Sequence, residues 1–113
     1  MEEQAVIVRF GYVADSLAPL HALEGRLGEA VAAAGVGELD GNDLAADLSD
    51  GTLYLYGPDA DALFAVARPL LAGAGCLRAA RATLRYGPPE DGVPERVVAL
   101  DTEPRGAVSG GGR

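Results

Sequence analysis

The chain of 113 residues contains no lysine and no tryptophan, a single cysteine and a single histidine, and only 5% aromatic residues. Cys76 has no partner for an internal disulfide and no neighbour at metal-ligand spacing, which argues against a disulfide scaffold and a zinc site. We expect it to be a small buried hydrophobic residue in a reducing compartment. No stretch approaches the ~18 apolar residues of a membrane span, and the acidic start MEEQ is unlike a signal peptide. A cytoplasmic protein without a membrane span is therefore expected.

Positive charge is scarce and unevenly placed. The net charge is −8; residues 1–67 contain 12 acidic residues and 2 arginines, whereas residues 68–113 contain 5 acidic residues and 7 arginines. A surface this acidic repels phosphate backbones, which argues against binding of nucleic acid. The asymmetry favours a basic protein partner or a second copy of the chain, and it also serves solubility.

The hydrophobic pattern predicts one domain over 1–100 and a flexible glycine-rich tail over 101–113. Alternating apolar residues predict strands, and apolar residues at helical spacing predict helices. In chain order we expect a strand at 4–12, a helix at 15–35, a hairpin at 38–57, a helix at 58–75 and a strand at 80–87. The segment 93–100 is compatible with an additional edge strand.

Turn and cap residues mark the ends of these elements. Asp15 or Ser16 is expected to cap the first helix, and Asp59 the second. The pair Asp50-Gly51 between apolar runs predicts a tight hairpin turn at 49–51, and DGND at 40–43 predicts a turn or bulge. The order strand-helix-strand-strand-helix-strand predicts an α+β fold of the ferredoxin-like βαββαβ type, with a four-stranded antiparallel sheet and two helices on one face.

The run DGND…GTLYLYGPDADALFAVARPLL resembles small, acidic, uncharacterised bacterial proteins that share a YGPDAD junction between a strand and a helix. The similarity covers about residues 37–87, and the order of elements is similar to that of ferredoxin-like domains. This resemblance implies no activity, because likeness of fold alone does not assign function.

Residues 37–61 contain seven acidic side chains and no lysine or arginine. A calcium-binding EF-hand loop that began at Asp40 would have Leu44 and Ala45 where it needs an oxygen ligand and a glycine, so the pattern fails. Roles in turns and caps are the ordinary explanation of these carboxylates. We predict no metal and no cofactor.

A second group of polar residues depends on the topology. In the split βαβ topology we expect strands one and three to run parallel, so that both helices begin at one rim. There Asp15, His21, Asp59 and Asp61 could bind a cation or perform acid–base chemistry. Helix capping is the simpler role for these aspartates. Cys76 is expected at the end opposite His21, and no GxSxG motif or phosphate-binding loop is present, so no enzyme is predicted.

The sheet face that points away from the helices is the strongest candidate surface, because it is expected to present Tyr and Arg, which are enriched at interface hot spots. Its predicted residues are Ile7, Arg9, Tyr54, Tyr56, Arg81, Thr83 and Arg85. RNA-recognition domains use the same face, but TLYLYGPD lacks their third-strand signature. We expect a non-enzymatic interaction module that forms a homodimer through this face, unless residues 93–100 cover the face or it is merely solvated.

Two further functions stay open. One is an acidic immunity or inhibitor protein that binds a basic partner through the hairpin at 38–61, with Asp40, Asp43, Asp47 and Asp50 as the contact surface. The other is a sensor domain that binds a small molecule at the dimer seam or at the helix-start rim.

Overall fold

The computed structural model describes residues 3–100, and the predicted tail at 101–113 lies outside the described residues. The fold is α+β, with one antiparallel sheet in the order β2-β3-β1-β4-β5. The elements are β1 (Gln4–Tyr12), α1 (Ala18–Ala34), β2 (Glu38–Leu44), β3 (Asp50–Gly57), α2 (Ala60–Ala72), β4 (Leu77–Arg85) and β5 (Glu95–Ala99). The sheet has five strands and not the four of the ferredoxin-like type, because the additional edge strand that was expected as an option at 93–100 is present as β5 and pairs with the outer edge of β4.

Alternation along the strands gives the sheet a buried face and an open face. Val6, Val8 and Phe10 of β1 lie in the core, whereas Ile7 is half-buried and Arg9 is exposed. The two helices cover the buried face with Leu20, Leu23, Leu27 and Val31 of α1 and with Ala60, Leu63, Phe64, Ala67 and Leu71 of α2. Between residues 3 and 100, no polar or charged residue is buried, and neither helix is long and apolar enough to cross a membrane.

The start of α1 is organised by a tyrosine. The predicted cap by Asp15 or Ser16 is wrong, because the helix begins after Leu17 without a side-chain cap. Instead, the Tyr12 hydroxyl accepts a hydrogen bond from the Leu20 backbone N–H at 3.2 Å and donates one to the Ser16 carbonyl at 2.7 Å. The end of β1 thus satisfies one of the free N–H groups at the helix start.

Of the predictions for α2 and the hairpin, the helix cap and the bulge are confirmed and the position of the turn is wrong. Asp59 caps α2 as predicted, since its Oδ1 accepts from two backbone N–H groups of the first turn. The tight turn at 49–51 is wrong: Asp50 and Gly51 are the first residues of β3, and the loop occupies 45–49 with Leu48 at a φ of 62°. The predicted bulge near Asp40 is confirmed, because the β2–β3 register shifts between Leu39 and Gly41.

A second bulge lies in β4 opposite the end of β1. Arg9 pairs with Arg81, but Gly11 pairs with Arg78, so β4 has one extra residue there, and Ala79 adopts a φ of 53°. The extra residue reverses the alternation of side chains along β4. Leu77 consequently enters the core, and Arg78 is exposed.

Candidate interaction surface on the open sheet face

The open face is the side of the sheet that points away from the helices, and strand register sets its side chains in four rows. From β2 to β5 these rows are Glu38–Tyr56–Ala5–Arg85–Glu95, then Gly41–Tyr54–Ile7–Thr83–Val97, then Asp43–Thr52–Arg9–Arg81–Ala99, and a shorter row of Asp50–Gly11–Arg78. All five predicted interface residues, Arg9, Tyr54, Tyr56, Arg81 and Arg85, lie in these rows. The segment 93–100 extends the sheet and does not cover this face.

The middle of the open face is apolar. Ile7 is half-buried, with Tyr54 and Thr83 as its register neighbours on the two sides. Ala5 belongs to the open face and yet is 0% exposed, since it lies between the larger side chains of Tyr56 and Arg85. These residues form the apolar centre of the open face.

Charges flank this patch in two opposed strips. Glu38, Asp43 and Asp50 form an acidic strip on the β2–β3 side. Arg78, Arg81 and Arg85 form an arginine strip along β4. Arg9 and Glu95 complete the charged residues of these rows, so four arginines balance four carboxylates in the described part of the face. The face is therefore neutral, although the whole chain carries a net charge of −8.

Two arginines of the strip contact the backbone of their own chain. A Cβ at Gly11 would lie 2.9 Å from the Arg78 Nη2, which means that the Arg78 guanidinium covers the bare backbone of Gly11. The Nε of Arg85 donates to the Gly87 carbonyl at 2.7 Å. These restraints reduce the side-chain entropy that each arginine would lose in a contact.

The four acidic residues predicted as one contact surface fall into different surroundings. Asp43 and Asp50 lie on the open face, on the side of the sheet away from the arginine strip. Asp50 reaches this face because β3 begins at Asp50. Asp47 belongs to the 45–49 loop; its Oδ1 accepts from the Ser49 N–H at 3.0 Å. Hydrogen bonding from the side chain and the backbone of Ser49 holds the pKa of Asp47 below its usual value. Asp40 is exposed at the β2 bulge.

The predicted helix-start rim of Asp15, His21, Asp59 and Asp61 is wrong, because β1 and β3 run antiparallel and the two helices begin at opposite ends of the sheet. The start of α2 is held at the start of β1, where the Gln4 Oε1 accepts from the Ala60 N–H at 2.8 Å. The length of β1 separates the two helix starts by about 25 Å.

Hydrogen-bond partners account for two of these carboxylates, because Asp59 caps α2 and Asp61 accepts from a tyrosine. The Tyr86 hydroxyl donates to the Asp61 Oδ1 at 2.7 Å. This hydrogen bond to a carboxylate raises the pKa of Tyr86. Among residues 3–100, His, Cys, Asp and Glu side chains form no group of three or more that could hold a metal ion.

Cys76 is half-buried beside the start of β4. It was expected at the end opposite His21, and this expectation is wrong: the Val13 N–H donates to the Cys76 carbonyl at 2.9 Å, at the end of β1 from which the chain enters α1. Partial burial raises the pKa of the Cys76 thiol, with a smaller opposing effect from the positive charge of Arg26.

We therefore expect Cys76 to react slowly with thiol reagents, because the thiolate is the reactive form and its population at pH 8 is reduced. Alkylation by iodoacetamide, followed by mass spectrometry, should be several-fold slower in the folded protein than in urea. The rate in the folded protein should still be rising above pH 9. A folded-state rate equal to that in urea at pH 8 would contradict this prediction.

Some residues of the open face were not found by sequence reasoning. The bulge at Ala79 hid Arg78, because strict alternation from Ala82 and Leu84 would point it into the core. Val97 and Glu95 were missed because β5 was only an optional strand. Val97 is 58% exposed, an unusual position for a large apolar side chain.

Comparisons with known proteins add no relative to this description. A scan against protein-family models gave no match, and searches of curated proteins and of solved structures gave none either. The case for a function therefore comes from the geometry and charge of the open face.

Proposed function

We propose that the chain is a non-enzymatic interaction module that forms a homodimer through its open face. The observation that supports this most directly is the combination of an apolar centre and a neutral charge balance on one face of an acidic chain. Such a face can meet a second copy without the repulsion that the remaining surface would produce. We also propose that the first four strands and two helices form a ferredoxin-like unit, to which β5 is appended.

The size of the face sets the expected strength of association. Five strands at ~4.8 Å spacing and about six residues of strand length give a flat area on the order of 500 Å². Standard interfaces bury about 800 Å² of accessible surface per partner, so this face lies towards the small end. We expect a dimer whose population depends on protein concentration in the range used for solution measurements.

Light scattering coupled to size-exclusion chromatography tests this proposal over a hundredfold range of protein concentration. The unaltered chain should give the mass of a dimer at the high end and approach that of a monomer on dilution. Salt at 1 M should weaken the dimer if charge pairs contribute. A monomer at every concentration and in both salts would overturn the homodimer and direct attention to a basic protein partner of the acidic residues.

The substitution Ile7→Thr tests whether the apolar centre is the contact. It removes apolar surface from the middle of the face in both copies, and we expect the dissociation constant to rise at least ~10-fold. Val13→Thr is the matched control, because Val13 is 51% exposed and lies beyond the end of β1. Equal effects of the two substitutions in sedimentation equilibrium would show that the open face is not the site of association.

The two other candidate functions, an acidic inhibitor and a small-molecule sensor, would require different features of the protein. An acidic inhibitor would use Asp40 and Asp47 together with Asp43 and Asp50, but these residues occupy different parts of the hairpin. A sensor domain would show thermal stabilisation by a small ligand. The open face favours the homodimer over both, because its two charged strips complement each other.

A further inference from the structure

We infer that the two copies of this homodimer pack open face to open face about a two-fold axis that runs along the strands between β1 and β3, so that the acidic strip of each copy meets the arginine strip of the other. This inference depends on the proposed homodimer and adds its geometry. It follows from the placement of the charges and from the constraint that a two-fold axis puts on facing sheets.

A two-fold axis between facing sheets must lie in the plane of the interface. In the resulting isologous contact, if one residue of the first copy meets a second residue of the other copy, the reverse contact also forms. If the axis runs along the strands, the β2 side of one sheet covers the β4 side of the other. If it runs across the strands, each strand covers itself in reverse. The first choice can bring the acidic strip of one copy to the arginine strip of the other, whereas the second brings each strip to the same strip of the other copy.

An axis across the strands is disfavoured by repulsion. It would place Asp43 of one copy against Glu38 of the other, because both residues belong to β2 and each strand covers its own counterpart. It would also place Arg81 against Arg85. Like charges in direct opposition weaken association and disfavour the arrangement that requires them.

An axis along the strands has a preferred position. Centred on β1, it would place Arg9 of one copy against the same Arg9 of the other. Between β1 and β4, it would place Arg9 against Arg81. Between β1 and β3, it places Arg9 opposite Thr52 and sets Tyr54 opposite Ile7, so the apolar residues meet and the arginines separate.

In this arrangement each row of one copy faces the same row of the other, and β2 covers β4. The register then pairs Glu38 with Arg85 and Asp43 with Arg81 between the copies. Asp50 faces Gly11 and hence the guanidinium of Arg78, which covers Gly11. Two-fold symmetry produces every pair twice.

The Asp43–Arg81 pair cannot form within one chain, which makes it a clean probe. The two residues lie on β2 and β4, with β3 and β1 between them, at a separation of about 14 Å in the sheet. Restoration of charge complementarity between positions 43 and 81 therefore reports a contact between copies.

The test uses two variants of the full chain, Asp43→Arg and Arg81→Glu. Each variant alone places like charges at both symmetric contacts, and we expect its dissociation constant to rise about 10- to 100-fold over the unaltered dimer. In an equimolar mixture, Arg at 43 of one chain meets Glu at 81 of the other, and the native Asp43 meets the native Arg81. Light scattering of the mixture should recover the dimer mass at a concentration where each variant alone is a monomer.

Two controls fix the geometry. Glu38→Arg mixed with Arg85→Glu should behave in the same way and provides a second pair if one of the first variants folds poorly. Val13→Thr should leave the dissociation constant unchanged, because Val13 is 51% exposed and lies beyond the end of β1. Both exposed positions 43 and 81 should tolerate substitution, which circular dichroism checks.

Each outcome separates this geometry from the homodimer itself. A mixture that stays monomeric while the unaltered chain dimerises would overturn the axis along the strands but not the homodimer. Stronger association of Asp43→Arg alone would point to the axis across the strands and overturn the inference. A monomeric unaltered chain would overturn both.

Discussion

Replacement of Leu55 by Ala is expected to lower the free energy of unfolding by about 2–5 kcal/mol, the usual cost of removing a buried leucine side chain. Leu55 is 0% exposed, and it pairs with Val6 of β1 and Leu39 of β2, so the cavity would open at the centre of the sheet. Urea unfolding monitored by circular dichroism, at a protein concentration where the monomer predominates, measures this loss. Dilution is needed because dimer formation would add to the apparent stability.

Tyr54→Ala is the matched comparison, since Tyr54 is the preceding residue on the same strand and points to the open face. We expect the free energy of unfolding of the monomer to fall by no more than about 1 kcal/mol. The dissociation constant should rise at least ~10-fold, because Tyr54 faces the apolar centre of the partner. A variant that loses as much stability as Leu55→Ala and dimerises normally would contradict the division of the sheet into a structural face and a contact face.

Gly57→Ala is expected to destabilise the fold by about 1–3 kcal/mol or more, through overpacking rather than through a cavity. A Cβ at Gly57 would lie 2.2 Å from the Val36 carbonyl oxygen, and one at Gly37 would lie 2.2 Å from the Tyr56 carbonyl oxygen. These two backbone segments approach each other where the chain enters β2 and leaves β3. Because the obstacles are backbone atoms, no side-chain rotation can relieve the clash.

Gly25→Ala provides the control for this effect. Gly25 lies within α1, and a Cβ there would meet nothing within 4 Å. The same chemical change should stabilise the protein by about 0.5–1 kcal/mol, because alanine favours the helix. Thermal unfolding should therefore shift in opposite directions for the two variants. Similar shifts would show that the close approach at Gly57 can relax.

Local patterns in the sequence predicted the faces of β1 and β3 well. Val6, Val8 and Phe10 share one face of β1, whereas Ile7 shares the other face with the charged Arg9, so alternation was sufficient to identify the buried face. Asp59 was recognised as a cap because it precedes the apolar residues of α2 directly. In these cases the information lies within a few residues.

The errors arose where contacts distant in sequence decide the structure. Asp50-Gly51 has the composition of a tight turn, but pairing of Asp50 with Gly11 extends β3 and moves the loop to 45–49. The missing cap of α1 is replaced by Tyr12, whose hydroxyl is brought there by the end of β1. The helix-start rim was wrong because it required parallel strands one and three, whereas β1 and β3 are neighbours in an antiparallel sheet.

The candidate site shows the same limit. Sequence reasoning treated the acidic hairpin and the Tyr-Arg face as separate surfaces that belong to competing functions. Strand register joins them, because Asp43 lies in the same row as Arg9 and Arg81. The complementarity of the two strips is a property of the assembled sheet and is invisible along the chain.

The bulge at Ala79 determines which sequence positions of β4 point into the core. Upstream of it, odd-numbered positions point into the core, and downstream even-numbered positions do so, as Leu77 and Leu84 show. A strand that kept all its residues but lost the bulge would turn Leu77 outward and force Arg78 among apolar side chains. Deletion of the extra residue would instead leave both faces unchanged, because Tyr12 would still pair with Leu77 and Gly11 with Arg78 in a regular ladder. A homologous chain that lacked this residue could therefore keep its apolar and basic residues at these two positions.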